Sequence, residues 1–277
     1  MTITTGRVPS DTRLTIHYLA HSAWLVETAR RFILLDYGVL PARDESAAAK
    51  LSQGCLDLVS LWPDWLGATK KPVFVFASHR HRDHYHPGLH QWLANLPGQG
   101  HLFVLGIDPA DPGPVIPDPP ERTLLVRPDE VLDAGDAKLA TFASTDQGVA
   151  LVVQFPELTV YHGGDLACWT DEAIYANRHA QSLNDIRSYL AASGQQVDVA
   201  FCPVCTSDGW QEPPVANGAL ALLDILRPNL FFPMHGYTFE PLYVRFAGLC
   251  KQRLPEYTGQ IRCASQPGER FEEVLDV

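Results

Sequence analysis

The sequence predicts an α+β protein built as a four-layer αββα sandwich, two sheets packed face to face with helices outside. Two observations carry this. Short β-rich runs dominate the chain as far as Tyr161, and strands then alternate with helices. The pairing of strand-rich segment with helix occurs roughly twice, and residues 1–277 are expected to form one domain.

Taken in order, Leu14 to Leu19, Trp24 to Glu27 and Phe32 to Leu35 read as an antiparallel meander, and Ala47 to Leu51 as a helix. Val73 to Ala77 is a continuous apolar run, as expected of a strand buried on both faces. Pro87 to Leu96 suits a helix with proline in its first turn. His101 to Leu105 is another strand, and Asp108 to Pro120, with six prolines, reads as an exposed irregular loop. Strands follow at Thr123 to Val126, Leu139 to Ala143, Val149 to Phe155 and Leu158 to Tyr161. Beyond them come a helix near Leu183 to Ala192, a strand Val197 to Phe201, a helix Val215 to Leu226, a strand Leu230 to Phe232 and a helix Leu242 to Cys250.

With 277 residues, 46% of them apolar, the chain can bury a substantial core. Its 21 Lys and Arg stand against 32 Asp and Glu, a formal charge of -11, so no global positive field draws in a phosphate backbone. Nucleic acid is disfavoured as a partner, and a small soluble molecule is the expected substrate; oligomeric state is not legible. The stretch MTITTGRVPSDTR has no signal-peptide pattern and no long apolar run follows, so the expectation is a cytoplasmic protein without a membrane partner. Six cysteines are too sparse for a disulfide scaffold. Cys202-Pro-Val-Cys205 has CxxC spacing but no second pair, and reads as two ordinary thiols at a strand end rather than a redox or metal half-site.

The informative stretch is FASHRHRDHYHPG, Phe76 to Gly88, which holds four of the eleven histidines. His79 and His81, at i and i+2 on an extended segment, can point the same way, while Asp83 and His84 at the turn can serve a second position a few Å off. Imidazoles with a carboxylate suit zinc, iron or manganese better than calcium. Two later segments repeat the arrangement of apolar strand then ligand-type residue. Thr159 to Asp165 ends in Gly163-Gly164-Asp165, and Leu230 to Gly236 contains His235. Alone, Asp165 would be a turn aspartate and His235 a core histidine; with the first cluster, both read as ligands.

The sequence thus resembles the metallo-β-lactamase-fold hydrolases. HRHRDH matches the superfamily's HxHxDH motif, GGDL its bridging-aspartate segment and PMHG its final histidine segment, in order, over about residues 14 to 240. His21-Ser22-Ala23-Trp24-Leu25-Val26-Glu27 followed by Ile33-Leu34-Leu35-Asp36 resembles, more weakly, the branch with the ascorbate-6-phosphate lactonase-like hydrolases. The resemblance implies that His79 and His81 bind a first metal, that Asp83, His84 and His235 bind a second, and that Asp165 bridges them. One or two zinc ions per chain are implied, with manganese or iron as alternatives. Asp36 matches an early aspartate that supports the site from behind, though capping a strand end explains it equally well.

One family element is missing. A further histidine for the first metal is expected between the strands ending near Ala143 and beginning near Val149, where this chain has Ser144-Thr145-Asp146-Gln147-Gly148. Asp146 is the available substitute. Tyr85, His86, Trp169, Trp210 and Tyr237 lie near these loops, each more simply read as a loop aromatic or surface histidine than as a substrate contact. His162 reads as an orienting or core residue; His17, His90, His101 and His179 receive no role, and His21 is within plausible reach of the site. The expected reaction is hydrolysis of an ester, lactone, phosphoester or amide bond by a metal-activated water, with Asp83 orienting it or taking its proton. The competing readings are an iron-dependent redox enzyme on the same fold and a metal-binding protein with degenerate activity.

Overall fold

Alternation of apolar side chains along the central strands builds the layers. In the computed structural model, which describes residues 12–38, 70–108, 122–206 and 213–275, strands β3 (Phe32–Leu35) and β4 (Val73–Ala77) are buried on both faces. Ile33, Leu35, Phe74 and Phe76 point into the core between the sheets. Phe32, Leu34, Val73, Val75 and Ala77 point the other way, onto Leu89 and Leu93 of the short helix α1 (Leu89–Ala94). A continuous apolar run is what such a doubly covered strand requires.

The first sheet also holds β1 (Thr12–Ala20), β2 (Ala23–Glu27), β5 (Leu102–Gly106), β6 (Thr123–Val126) and β14 (Arg270–Leu275), in the order β14-β1-β2-β3-β4-β5-β6. β3 through β6 run parallel, and β14, β1, β2 and β3 pair antiparallel. The second sheet has the order β13-β12-β11-β10-β9-β8-β7. Its members are β7 (Val131–Asp133), β8 (Lys138–Ala143), β9 (Val149–Gln154), β10 (Thr159–His162), β11 (Val199–Pro203), β12 (Leu230–Met234) and β13 (Gln260–Ile261). β10, β11, β12 and β13 are parallel. Helices α2 (Ala173–Ser193), α3 (Pro213–Leu226) and α4 (Pro241–Arg253) pack against β8, β11 and β12, completing the αββα order.

Several elements differ from the sequence expectation for identifiable reasons. β7 and β14 are edge strands whose burial is sparse, so no apolar run marks them. α2 is 21 residues long, about twice the expected length, because only a narrow stripe at His179, Ser182, Leu183 and Ile186 is buried. β12 runs on through Pro233, tolerated because β13 pairs only as far as Phe231. The expected helix Ala47 to Leu51, the proline-rich loop beyond Asp108, and Trp210 lie outside the described residues.

This topology brings five loops to one edge of the sandwich. β1 lies antiparallel to β2 and β2 to β3, so the turn after β1 emerges beside the ends of β3 and β4. The ends of β10 and β12 face them from the second sheet, and the His21 carbonyl accepts the His235 N–H at 3.2 Å across the gap.

Candidate metal centre

At the end of β3, Asp36 turns the chain in a left-handed conformation, φ +45°, and is wholly buried. Its carboxylate accepts three hydrogen bonds: from the Ser78 N–H at 2.6 Å, from the Ser78 hydroxyl at 2.8 Å, and from His84 Nδ1 at 2.7 Å. The Ser78 oxygen lies 3.0 Å from His79 Nδ1 and, having given its proton to Asp36, accepts the imidazole N–H. His235 Nδ1 donates to the Cys205 carbonyl at 3.2 Å. In all three rings the Nδ1 side is held from behind, which turns Nε2 toward the other site residues, the arrangement by which outer groups orient metal-ligating histidines.

The Nε2 atoms converge on Asp165. Its Oδ1 is 3.1 Å from His84 Nε2 and 3.2 Å from His235 Nε2, and its Oδ2 is 3.5 Å from His79 Nε2. Two groups of donors, His79, His81 and Asp165, and His21, Asp83, His84 and His235, each have one ligand atom per residue within 4.8 Å of the others. His84 Nε2 and Asp165 Oδ1 are buried with no hydrogen-bond partner. Imidazole nitrogens and carboxylate oxygens gathered this closely, His79 Nε2 lying also 2.9 Å from His81 Nδ1, have the disposition expected around a shared cation, and the nitrogen and oxygen donors suit a borderline divalent ion. The residues therefore fit a metal.

The electrostatics agree with ligand duty. Burial opposes charge on Asp165, but His84 and His235 hold its carboxyl well below the usual range. Asp83, buried only in part, is likewise held low by its contact with His21 and by His84, against the effect of desolvation. Burial, reinforced by His84, brings His79 down to about 4, leaving it neutral at pH 7. His84 is the exception: desolvation disfavours its charge, yet Asp165 and Asp36 together raise it well above 6.5.

Of the residues expected at the site, His79, His81, Asp83, His84, Asp165 and His235 are brought together. Asp146 is not. Its side chain is exposed, its N–H is 3.3 Å from the Ser144 hydroxyl, and it feels the site only at longer range, desolvation and Asp165 raising its carboxyl while His81 opposes. His162 orients rather than converges: Nε2 donates to the Ser22 carbonyl at 3.1 Å and Nδ1 accepts the Gly164 N–H at 3.1 Å. Trp169 stands against His235, ring centres 5.1 Å apart, and lines a cavity of about 870 Å³ with Cys168, Asp171, His179 and Asn217. Tyr85 packs on Phe103 and His90, and the buried Tyr237 follows the His235 turn.

Cys202 and Cys205 are buried free thiols; burial pushes Cys202 well up and, with Glu240, takes Cys205 to about 12. Both shifts favour the protonated thiol over the thiolate at neutral pH. Sequence reasoning passed over Ser78 altogether and left Asp36 undecided. The available signal was Ser78 directly before the first histidine, one residue past a buried strand.

The fold and this donor set define a two-sheet metal-site protein with its ligands on strand-end loops. Residues 15–235 match the model described as the beta-lactamase superfamily domain, so the chain belongs to the metallo-β-lactamase superfamily. A protein described as a UPF0173 metal-dependent hydrolase from Lysinibacillus sphaericus (strain C3-41) is 27% identical over 107 residues, 39% of this chain and 37% of the relative. The match thus spans little more than a third of that relative's length. Among solved structures, the metallo hydrolase Igni18 of Ignicoccus hospitalis KIN4/I superposes with TM-score 0.57 at 19% identity, over 94% of this chain and 98% of that one. The diiron β-hydroxylase CmlA of Streptomyces venezuelae gives 0.56 at 13% identity, over 97% of this chain and 55% of that one. These likenesses are of fold. No helix among the described residues is long and apolar enough to cross a membrane.

Proposed function

We propose that the chain is a cytoplasmic metal-dependent hydrolase, acting as one domain on an ester, lactone, phosphoester or amide bond of a small soluble substrate. Zinc is the proposed metal, one or two ions per chain, with manganese or iron as substitutes suited to the same nitrogen and oxygen donors. The observation that carries this reading is the convergence of Nε2 of His84 and of His235 on one buried oxygen, Asp165 Oδ1, at 3.1 and 3.2 Å.

In this reading His79 and His81 hold one ion and Asp83, His84 and His235 the other, with Asp165 shared. A divalent ion so bound lowers the pKa of water from about 15.7 towards about 7 and polarises the bond under attack. Asp83 is the proposed catalytic carboxylate. Its side chain is 30% exposed where Asp165 is 6%, so it faces the mouth of the site while remaining ionised, able to orient an incoming water and accept its proton. The cavity beside Trp169 is of the size that takes small molecules and would seat the part of the substrate remote from the reacting bond.

Elemental analysis of protein purified without added metal, followed by a panel of esters, lactones, phosphodiesters and amides, tests the proposal. Metal-dependent turnover on at least one class, lost in Asp83→Asn by about 10²-fold or more, is expected. Fully metallated protein that turns over none of these would defeat it.

A further inference from the structure

We propose that His21 is itself a metal ligand, so that the second position is held by His21, Asp83, His84 and His235. The proposal rests on the metal-dependent reading and adds a donor from the first β-turn, on the opposite position from the one lacking its histidine.

Of the histidines that serve packing, His101 and His162 have both nitrogens occupied, while His90 and His179 each leave only Nε2 buried without a hydrogen bond. His101 accepts the Val73 N–H on Nδ1 and gives Nε2–H to the Pro97 carbonyl; His162 is bonded on both sides to Ser22 and Gly164. His21 is different. It is 2% exposed, and neither ring nitrogen has a hydrogen-bond partner. A buried imidazole is rarely left so unless something else meets its lone pair. Its Nε2 is 3.4 Å from Asp83 Oδ2 without hydrogen-bond geometry, and its ring centre is 4.2 Å from that of His235 and 5.7 Å from that of His84.

The backbone is arranged to put it there. His21 and His235 both occupy the left-handed region, φ +55° and +73°, uncommon for non-glycine residues. The His235 N–H bonds the His21 carbonyl at 3.2 Å, tying the two turns together across the sheets. The Tyr18 hydroxyl accepts the His21 N–H at 3.0 Å and donates to Glu240 at 3.1 Å, while the Tyr243 hydroxyl accepts the Gly236 N–H at 2.8 Å. These bonds hold two strained turns in register, which a residue merely filling space would not need. His21 would give the second position a fourth nitrogen or oxygen donor in addition to the shared Asp165, a set that suits zinc.

X-ray absorption of wild-type protein loaded with one equivalent of zinc should show three imidazoles in the coordination sphere; two would overturn the proposal. Cobalt(II) titration of His21→Gly, chosen because glycine accepts the positive φ, should show the tighter event weakened by about 10–100-fold or more, with changed d–d absorption. Millimolar imidazole should restore part of the affinity in His21→Gly and do nothing to the wild type. Unaltered affinity and spectrum in His21→Gly would also overturn it. Wild-type protein that takes up neither zinc nor cobalt defeats the metal-dependent reading itself, a separate outcome from wild type binding normally and His21→Gly binding equally well.

Discussion

Asp36 Oδ2 and His84 Nδ1 lie 2.7 Å apart, both side chains fully buried, one at the end of β3 and the other in the loop after β4. The same carboxylate fixes Ser78 and, through it, His79. One anion thus sets the tautomer of a histidine in each metal position. The parallel pairing of β3 with β4, in which Leu35 sits beside Phe76, brings the two strand ends level so that the Asp36 N–H bonds the Phe76 carbonyl at 2.8 Å.

Replacing Asp36 by asparagine keeps the shape but removes the charge that holds His84 Nδ1–H. Metal affinity should fall about 10–100-fold, the usual consequence of losing such a supporting carboxylate, while a mere strand-capping role would leave it unchanged. Calorimetric titration of Asp36→Asn with zinc decides between the two.

Metal uptake should release a proton from His84. Asp165 and Asp36 raise its folded pKa above 6.5, so at pH 7 the metal-free protein carries the proton that a ligand nitrogen must shed. The sign follows: affinity rises as pH rises until His84 is neutral without help, and falls on acidification. Calorimetry of zinc binding in buffers of different ionisation enthalpy should give a net release near one proton or more at pH 7. A buffer-independent enthalpy would show His84 already neutral or not a ligand.

Most of the fold was legible because its central strands are buried on both faces: Phe32 to Leu35 and Val73 to Ala77 coincide with the observed strands. The edge strands β7 and β14 and the polar flanks of α2 were not, since exposure removes the apolar pattern that sequence reading depends on. At the site, the clustered spacing of His79, His81, Asp83 and His84 announces a ligand set. Ser78 adjoins the cluster but has no ligand-type side chain and His21 lies far from it in sequence, so the register between β1, β3 and β4, which no local pattern encodes, is what brings both to the site. Asp146 lies at the right place in the chain, but its exposed carboxylate is in neither donor group.

That loop contributes through Gly148 instead. Gly148 has φ +72°, and a Cβ there would run into the Ser78 carbonyl and the His79 side chain. Gly148→Ala should lower Tm by about 3–10 °C and reduce metal content, since the clash bears on His79. Gly135→Ala is the control: it shares a positive φ, +84°, but nothing lies within 4 Å, so it should cost only the backbone strain and leave metal content intact. Equal loss of metal in both variants would mean that Gly148 acts through folding alone.

The two metal positions should load unequally. His79, His81 and Asp165 make one group, with His81 exposed to solvent, whereas the group of Asp83, His84 and His235 is mostly buried and gains His21 beside it. An exposed ligand must give up more freedom and competes with water for its ion, so the first position is expected to be the weaker. Titration of metal-free protein should resolve two affinities, or one event only. Asp146→Ala should change neither, because its carboxylate stands outside both groups, whereas ligation by Asp146 would make the weaker event vanish. His81→Ala should abolish the weaker event and spare the stronger, whereas His235→Ala should do the reverse. Two equal affinities in the wild type, both insensitive to His81→Ala, would show that the exposed imidazole is not a ligand and that the first position is completed by some other group.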